Sequence, residues 1–159
     1  MFENLSSLFS ALGLGYLVLT AWPLAKTDIL ERRLPNKYVL PAFPLIWLGQ
    51  ILAGIFGAGF QGMLWALIAG LLIFVVSLGI NRLGLLGMGD VKLMSAMALA
   101  LGWYSILLPF VAFGLSFLAA GLVATSLLTL RKLKLGSSMP LGPYLIAGYL
   151  GTLSLAVWS

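Results

Sequence analysis

The chain has 159 residues, of which 62% are hydrophobic and only 8% charged, with a formal charge of +5. Soluble domains carry roughly 25% charged residues, so this composition cannot cover a water-exposed surface and the bilayer is the expected solvent. Cysteine and histidine are both absent, which excludes disulfides, thiolate metal sites, cysteine nucleophiles and Ser-His-Asp triads.

The length suits one domain over residues 1–159. A membrane-spanning helix needs about 20 apolar residues. Residues 5–25 form the first such run, ending at Trp22-Pro23. It is not expected to be a cleavable signal peptide, because it has no basic n-region and its only early charge is Glu3. A polar stretch, 26–37, follows. The second run, 38–56, carries Pro41 and Pro44 in its opening turns, where proline costs least. Gly57-Ala58-Gly59 is a tight connection to the third run, 60–80. A glycine-rich stretch, 81–89, leads to a short fourth run, 91–101, closed by Gly102-Trp103-Tyr104. The fifth run covers 106–130, a basic connection covers 131–138, and the sixth run covers 140–158.

These six expected spans are tested by the charges between them. Lys26, Arg32, Arg33 and Lys37 lie in the first connection, Arg82 and Lys92 flank the third, and Arg131, Lys132 and Lys134 lie in the fifth. All nine basic residues therefore fall on one side. Such clusters between apolar runs are topology signals rather than a nucleic-acid surface, and they make that side cytoplasmic. Both termini are then expected on the other side. The expected fold is an all-α bundle of six transmembrane helices whose short fourth helix is preceded by a glycine loop.

The fourth run has a consequence for depth. From Asp90 to Trp103 is 13 positions, about 20 Å of helix at about 1.5 Å per residue. The hydrocarbon core is about 30 Å thick. With Trp103 and Tyr104 in the outer interfacial belt, Asp90 lies roughly 10 Å inside the inner boundary. Non-helical backbone at Gly84, Gly87 and Gly89 would survive there only against protein or a wet cavity, which implies a water-accessible notch. Small residues recur at helix-contact spacing in Ala66 with Gly70, Ala96 with Ala100, and Gly148 with Gly151.

Only four residues are acidic. Asp28 has two readings: a helix cap or ion-pair partner of Arg32, or a carboxylate held at the bundle mouth for proton transfer. Glu31, beside Arg32 and Arg33, reads as a solvated loop charge. Asp90 suits an N-cap before an apolar run. An aspartate at membrane depth costs about 2.5–3.5 kcal/mol on insertion scales, however, and tends to be functional. The glycines beside it also admit close approach of another backbone, as a bound peptide would make. Two carboxylates sharing a site split their pKa values. One can then hold a proton for a peptide carbonyl while the other activates a water. Lys92 either snorkels as a topology signal or binds an acidic substrate group or biases the aspartate pair.

Three segments carry a resemblance. Asp28 is followed by Leu34-Pro35-Asn36, Val39-Leu40-Pro41 and Trp47-Leu48-Gly49. Gly87-Met88-Gly89-Asp90-Val91-Lys92-Leu93 is followed by Leu101-Gly102-Trp103. The third is Met139-Pro140-Leu141-Gly142-Pro143-Tyr144-Leu145. In this order the chain resembles the type IV prepilin peptidases, membrane aspartyl proteases of the GxGD type. The resemblance implies catalytic aspartates at Asp28 and Asp90. It implies substrate-binding or supporting roles for Gly87, Gly89, Lys92, Pro35, Asn36, Pro140, Gly142 and Pro143. It implies no metal and no cofactor. The expected substrate is a prepilin-like precursor, cut at the cytoplasmic face of the bacterial inner membrane between a basic leader and an apolar helix. The cysteine-bearing cytoplasmic insertion of longer members has no counterpart, which puts their methyltransferase activity in doubt for this chain. Two other readings stay open: a GxGD intramembrane protease with a non-pilin substrate, and a non-enzymatic channel or assembly subunit.

Overall fold

A computed structural model describes residues 2–131 and 139–158. Among them all regular structure is helical: α1 (Phe2–Glu31), α2 (Asn36–Val39), α3 (Ala42–Ala53) running into a π-helical turn (Gly54–Ala58), α4 (Gln61–Arg82), α5 (Met88–Gly102), α6 (Leu108–Thr129) and α7 (Gly142–Trp158). Four segments are long and apolar enough to cross a bilayer: Leu5–Glu31, Asn36–Ala58, Gln61–Arg82 and Leu108–Thr129. α5 and α7 have 15 and 17 residues, so at about 1.5 Å per residue each falls short of a core of about 30 Å. The short helix after the glycine loop is present as expected.

Two boundaries differ from expectation. α1 does not stop at Ala25 but runs through Pro23 to Glu31. Proline is tolerated within apolar helices, and one turn on the Thr27 hydroxyl adds a bond to the Pro23 carbonyl at 2.7 Å. Asp28 therefore stands on a helix, not in a connection. The second run is broken after α2, where Pro41 caps the start of α3. The turn between α3 and α4 has Gly57 at φ 109° and Gly59 at φ 72°, backbone that favours glycine. Of the expected basic connection 131–138, Arg131 is described, whereas Lys132 and Lys134 lie outside the described residues.

α5 is the core. Val91 and every residue from Leu93 to Gly102 are buried. α4 lies along α5, α1 lies against α3 and α7, and α6 lies against α7. The α4–α5 contact uses the small residues singled out above. A Cβ on Gly70 would sit 3.3 Å from Leu99, and one on Gly102 would sit 2.8 Å from the Ala66 Cα. Of the pair Gly148 and Gly151 in α7, Gly148 alone is an approach point, against Ser116 and the Ala112 carbonyl of α6, while Gly151 faces open space. Buried hydroxyls donate to carbonyls one turn back, as Ser77 does to Ile73 at 2.6 Å and Ser95 to Val91 at 2.7 Å, leaving their polarity satisfied within the helix. Large apolar side chains such as Leu71, Val75, Leu118 and Leu122 remain exposed on α4 and α6. Such outer faces suit lipid and not water.

Candidate active site

Asp28 projects from the last turns of α1, and its side chain is only 5% exposed. Its Oδ2 accepts a 2.8 Å hydrogen bond from the backbone N–H of Gly142, the first residue of α7. The first N–H groups of a helix have no partner within it, and a carboxylate there is favoured by both the hydrogen bond and the helix dipole. Asp28 thus caps a helix 114 residues away in the chain. The capping role suggested for it is real, but the helix served is α7.

Asp90 is not the N-cap of α5. Gly87 holds that position with extended backbone, and Asp90 lies in the first turn. Its carboxylate reaches back to the Gly87 backbone N–H, the acid half of a capping box. Oδ1 of Asp90 is buried and has no hydrogen-bond partner among the described residues. A buried carboxylate oxygen without a donor is costly, and proton handling is one reason for keeping it.

The glycines have different duties. Gly84, at φ 74°, lies in the turn after α4, and the Asn81 side chain pins that turn by donating to the Leu86 carbonyl at 2.6 Å. A Cβ on Gly87 would stand 2.9 Å from the Asp90 Oδ2. Gly89, expected in non-helical backbone, is inside α5. It is bare because a Cβ would meet that of Leu34 at 2.9 Å. The backbone that approaches the glycine is therefore the chain's own loop between α1 and α2. This loop also brings Asn36 to Lys92, whose Nζ donates to the Asn36 Oδ1 at 3.1 Å.

Two cavities meet at the aspartates. The smaller, of about 350 Å³, is lined on its polar side by Arg33, Asn36, Gly89 and Lys92. The larger, of about 770 Å³, is lined by Ile80, Leu86, Phe117, Pro140 and Leu141. Asp28, Arg32, Gly87 and Asp90 line both. The two carboxylates are close enough for the charge of Asp28 to act on Asp90. Pro35 and Pro143 line neither cavity. Pro35 caps α2, its carbonyl accepting from the Tyr38 N–H at 3.1 Å, and Pro143 sits in the first turn of α7, where its fixed φ is preorganised. Glu31 is exposed at the end of α1.

Arg32 was read from the sequence only as a topology signal or a partner for Asp28. It adopts φ 52°, a left-handed conformation uncommon outside glycine, and its N–H bonds to the Asp28 carbonyl at 2.9 Å where α1 ends. Nothing in a sequence marks an arginine for that conformation. Phe117 also reads as one more apolar residue in a span, since only the assembled bundle places it beside the aspartates.

The sequence model of the type IV leader peptidase family matches residues 14–130. The chain is 31% identical over 150 residues to a protein from Stutzerimonas stutzeri named prepilin leader peptidase/N-methyltransferase. It is 32% identical over 150 residues to a protein of the same name from Pseudomonas aeruginosa strain PAO1. Each match covers 87% of this chain and 49% of the relative, so the chain spans about half the length of the curated relatives it matches. No solved structure matches it. The matched segment contains both aspartates and the loop that positions them, and the chain belongs to the type IV leader peptidase family.

Proposed function

We propose that this protein removes the basic leader from a prepilin-like precursor at the cytoplasmic face of the bacterial inner membrane, using Asp28 and Asp90 as a catalytic pair. One observation carries the reading: two aspartates from α1 and α5 line the same cavities, one nearly inaccessible and the other with an unpartnered buried oxygen. Like charges brought together disfavour double ionisation, so the pair holds one proton. The ionised carboxylate takes a proton from water, and the resulting hydroxide attacks the scissile carbonyl carbon. The protonated partner gives its proton to the carbonyl oxygen. Collapse of the tetrahedral intermediate breaks the C–N bond as one of its hydroxyls returns a proton to the ionised carboxylate, and the leaving amine takes a proton from the other, so the pair again holds one. The titration belongs to the pair, so neither role is assigned to one residue. The proposal covers cleavage alone.

Gly142 and Gly87 hold the two carboxylates through their N–H groups. Lys92 and Asn36 form the polar wall, and Pro140 contributes to the apolar one. Six spans with both termini outside, α5 and α7 among them, would place this end of the bundle in the cytoplasm, in keeping with the position of the nine basic residues.

The test is to reconstitute the purified protein in liposomes with a precursor bearing a basic leader and an apolar helix. The leader should be released, and moving the basic residues away from the cut should abolish release. Equal cutting of apolar peptides without a leader would indicate a broader intramembrane peptidase. Proton flux without cutting would indicate a channel.

A further inference from the structure

The turn between α4 and α5 is held from both ends on a single peptide unit. From the end of α4, the Asn81 side-chain amide donates to the Leu86 carbonyl at 2.6 Å. From the first turn of α5, the Asp90 carboxylate accepts from the Gly87 N–H. The Leu86 carbonyl and the Gly87 N–H belong to the same peptide bond. That bond is planar and trans, so its oxygen and its hydrogen point opposite ways from one rigid plane. Whatever fixes the direction of the carbonyl therefore fixes the direction of the N–H. The backbone bonds of the turn do not reach this plane. Leu83 and Leu85 donate to the Ile80 carbonyl and Gly84 to the Asn81 carbonyl, all before Leu86. Gly87 has no side chain to resist rotation, and a Cβ there would stand 2.9 Å from the Asp90 Oδ2. The Asp90 Oδ1 is buried with no partner among the described residues, so the orientation of this carboxylate leans on the Gly87 N–H.

We infer that Asn81 is a positioning residue for the reaction: by holding the Leu86 carbonyl it aims the Gly87 N–H at Asp90, and so sets how that carboxylate faces Asp28. This rests on the leader-peptidase reading and adds to it a residue that lines neither cavity. Two physical effects favour the role. The first is geometric. Without the Asn81 donor, the peptide plane can turn about its flanking bonds and swing the N–H off the carboxylate. The second is cooperative. A donor on the carbonyl oxygen polarises the amide, and hydrogen bonds in such a chain strengthen one another. The bond that gains is one to a carboxylate, which is the stronger kind when the acceptor is ionised. The competing role for Asn81 is closure of the turn alone, which costs folding when lost but not turnover.

The test uses the purified enzyme in liposomes with a precursor bearing a basic leader, at matched amounts of folded protein. Asn81→Leu removes the donor and keeps the volume, and Asn81→Ala removes both. Either should lower kcat for leader release by roughly 10-fold or more, as expected when a catalytic group loses its aim, with KM little changed. Asn81→Gln, which keeps an amide donor, should retain most of the turnover. A cycle of thermal unfolding supplies a readout independent of turnover. The drop in unfolding temperature caused by Asn81→Leu should be smaller in an Asp90→Ala background, because the two side chains then no longer hold one peptide between them. A wild-type kcat in the donor-less variants, a rise in KM alone, an Asn81→Gln enzyme as slow as Asn81→Leu, or equal drops in both backgrounds would overturn the inference. Failure of the wild type to release the leader would instead refute the leader-peptidase reading, and the unfolding cycle would still decide whether Asn81 acts through Gly87 on Asp90.

Discussion

Gly142 stands so close to Asp28 that a Cβ built on it would lie 2.7 Å from the carboxylate oxygen. That contact is tighter than a real side chain tolerates, and it lies on the same residue whose N–H holds the carboxylate at 2.8 Å. Gly142→Ala must therefore push Asp28 away from α7. Displacements of about 1 Å in a catalytic group cost on the order of 100-fold in rate, and a loss of that size is expected in leader release, with protein level in the membrane unchanged. Gly151→Ala, in the same helix but facing open space, should leave activity intact. Gly89→Ala presses on Leu34 and should shift the loop that carries Asn36. A smaller loss is expected there, accompanied by altered dependence on Lys92. Sequence reasoning singled out several of the residues that meet in this region, for partly different reasons. Asp28 and Asp90 stood out because acids are scarce. That Asp28 caps α7, that Gly89 is helical, and that Asn36 meets Lys92 are consequences of chain segments meeting in space. No local pattern encodes those meetings.

At the scale of the element, the helices follow from apolar runs separated by glycine, proline and charge. That signal is legible because an apolar stretch of this kind has few other stable forms in a bilayer. Its boundaries were less so. Pro23 and Lys26 read as the end of a span, yet α1 continues to Glu31, and this extension gives Asp28 a rigid support. Small-residue spacing found the α4–α5 contact correctly but overstated the Gly148–Gly151 pair in α7, of which only Gly148 meets a neighbour. A sequence cannot distinguish a glycine at a helix crossing from one facing lipid. The distinction has a measurable consequence. Gly148→Ala drives a methyl into Ser116 and the Ala112 carbonyl, and overpacking of this kind costs about 1–3 kcal/mol. Its thermal unfolding in detergent should occur at a lower temperature than that of the wild type, while Gly151→Ala should match the wild type or exceed it.

For the whole molecule, the arrangement is a buried helix, α5, carrying an acid at its first turn, surrounded by helices whose outer faces are apolar. The proposed six-span topology puts the α4–α5 turn and Arg131 inside, and the α3–α4 and α5–α6 turns outside. Single cysteines in the cysteine-free chain test this in intact cells. A membrane-impermeant maleimide should label Phe60→Cys and Leu107→Cys, and should reach Leu83→Cys and Arg131→Cys only in inverted vesicles. Labelling of Leu83→Cys from outside would reverse the topology and detach the site from the cytoplasm. The proposed chemistry requires that Asp28 and Asp90 act together on a peptide bond. The direct measurement is the rate of leader release from a reconstituted precursor by the wild type, Asp28→Asn, Asp90→Asn and the double variant, at matched amounts of folded protein. Each single variant is expected to lose release as fully as the double variant, because one carboxylate without its partner cannot complete the proton transfers. Release near the wild-type rate by either single variant would contradict it.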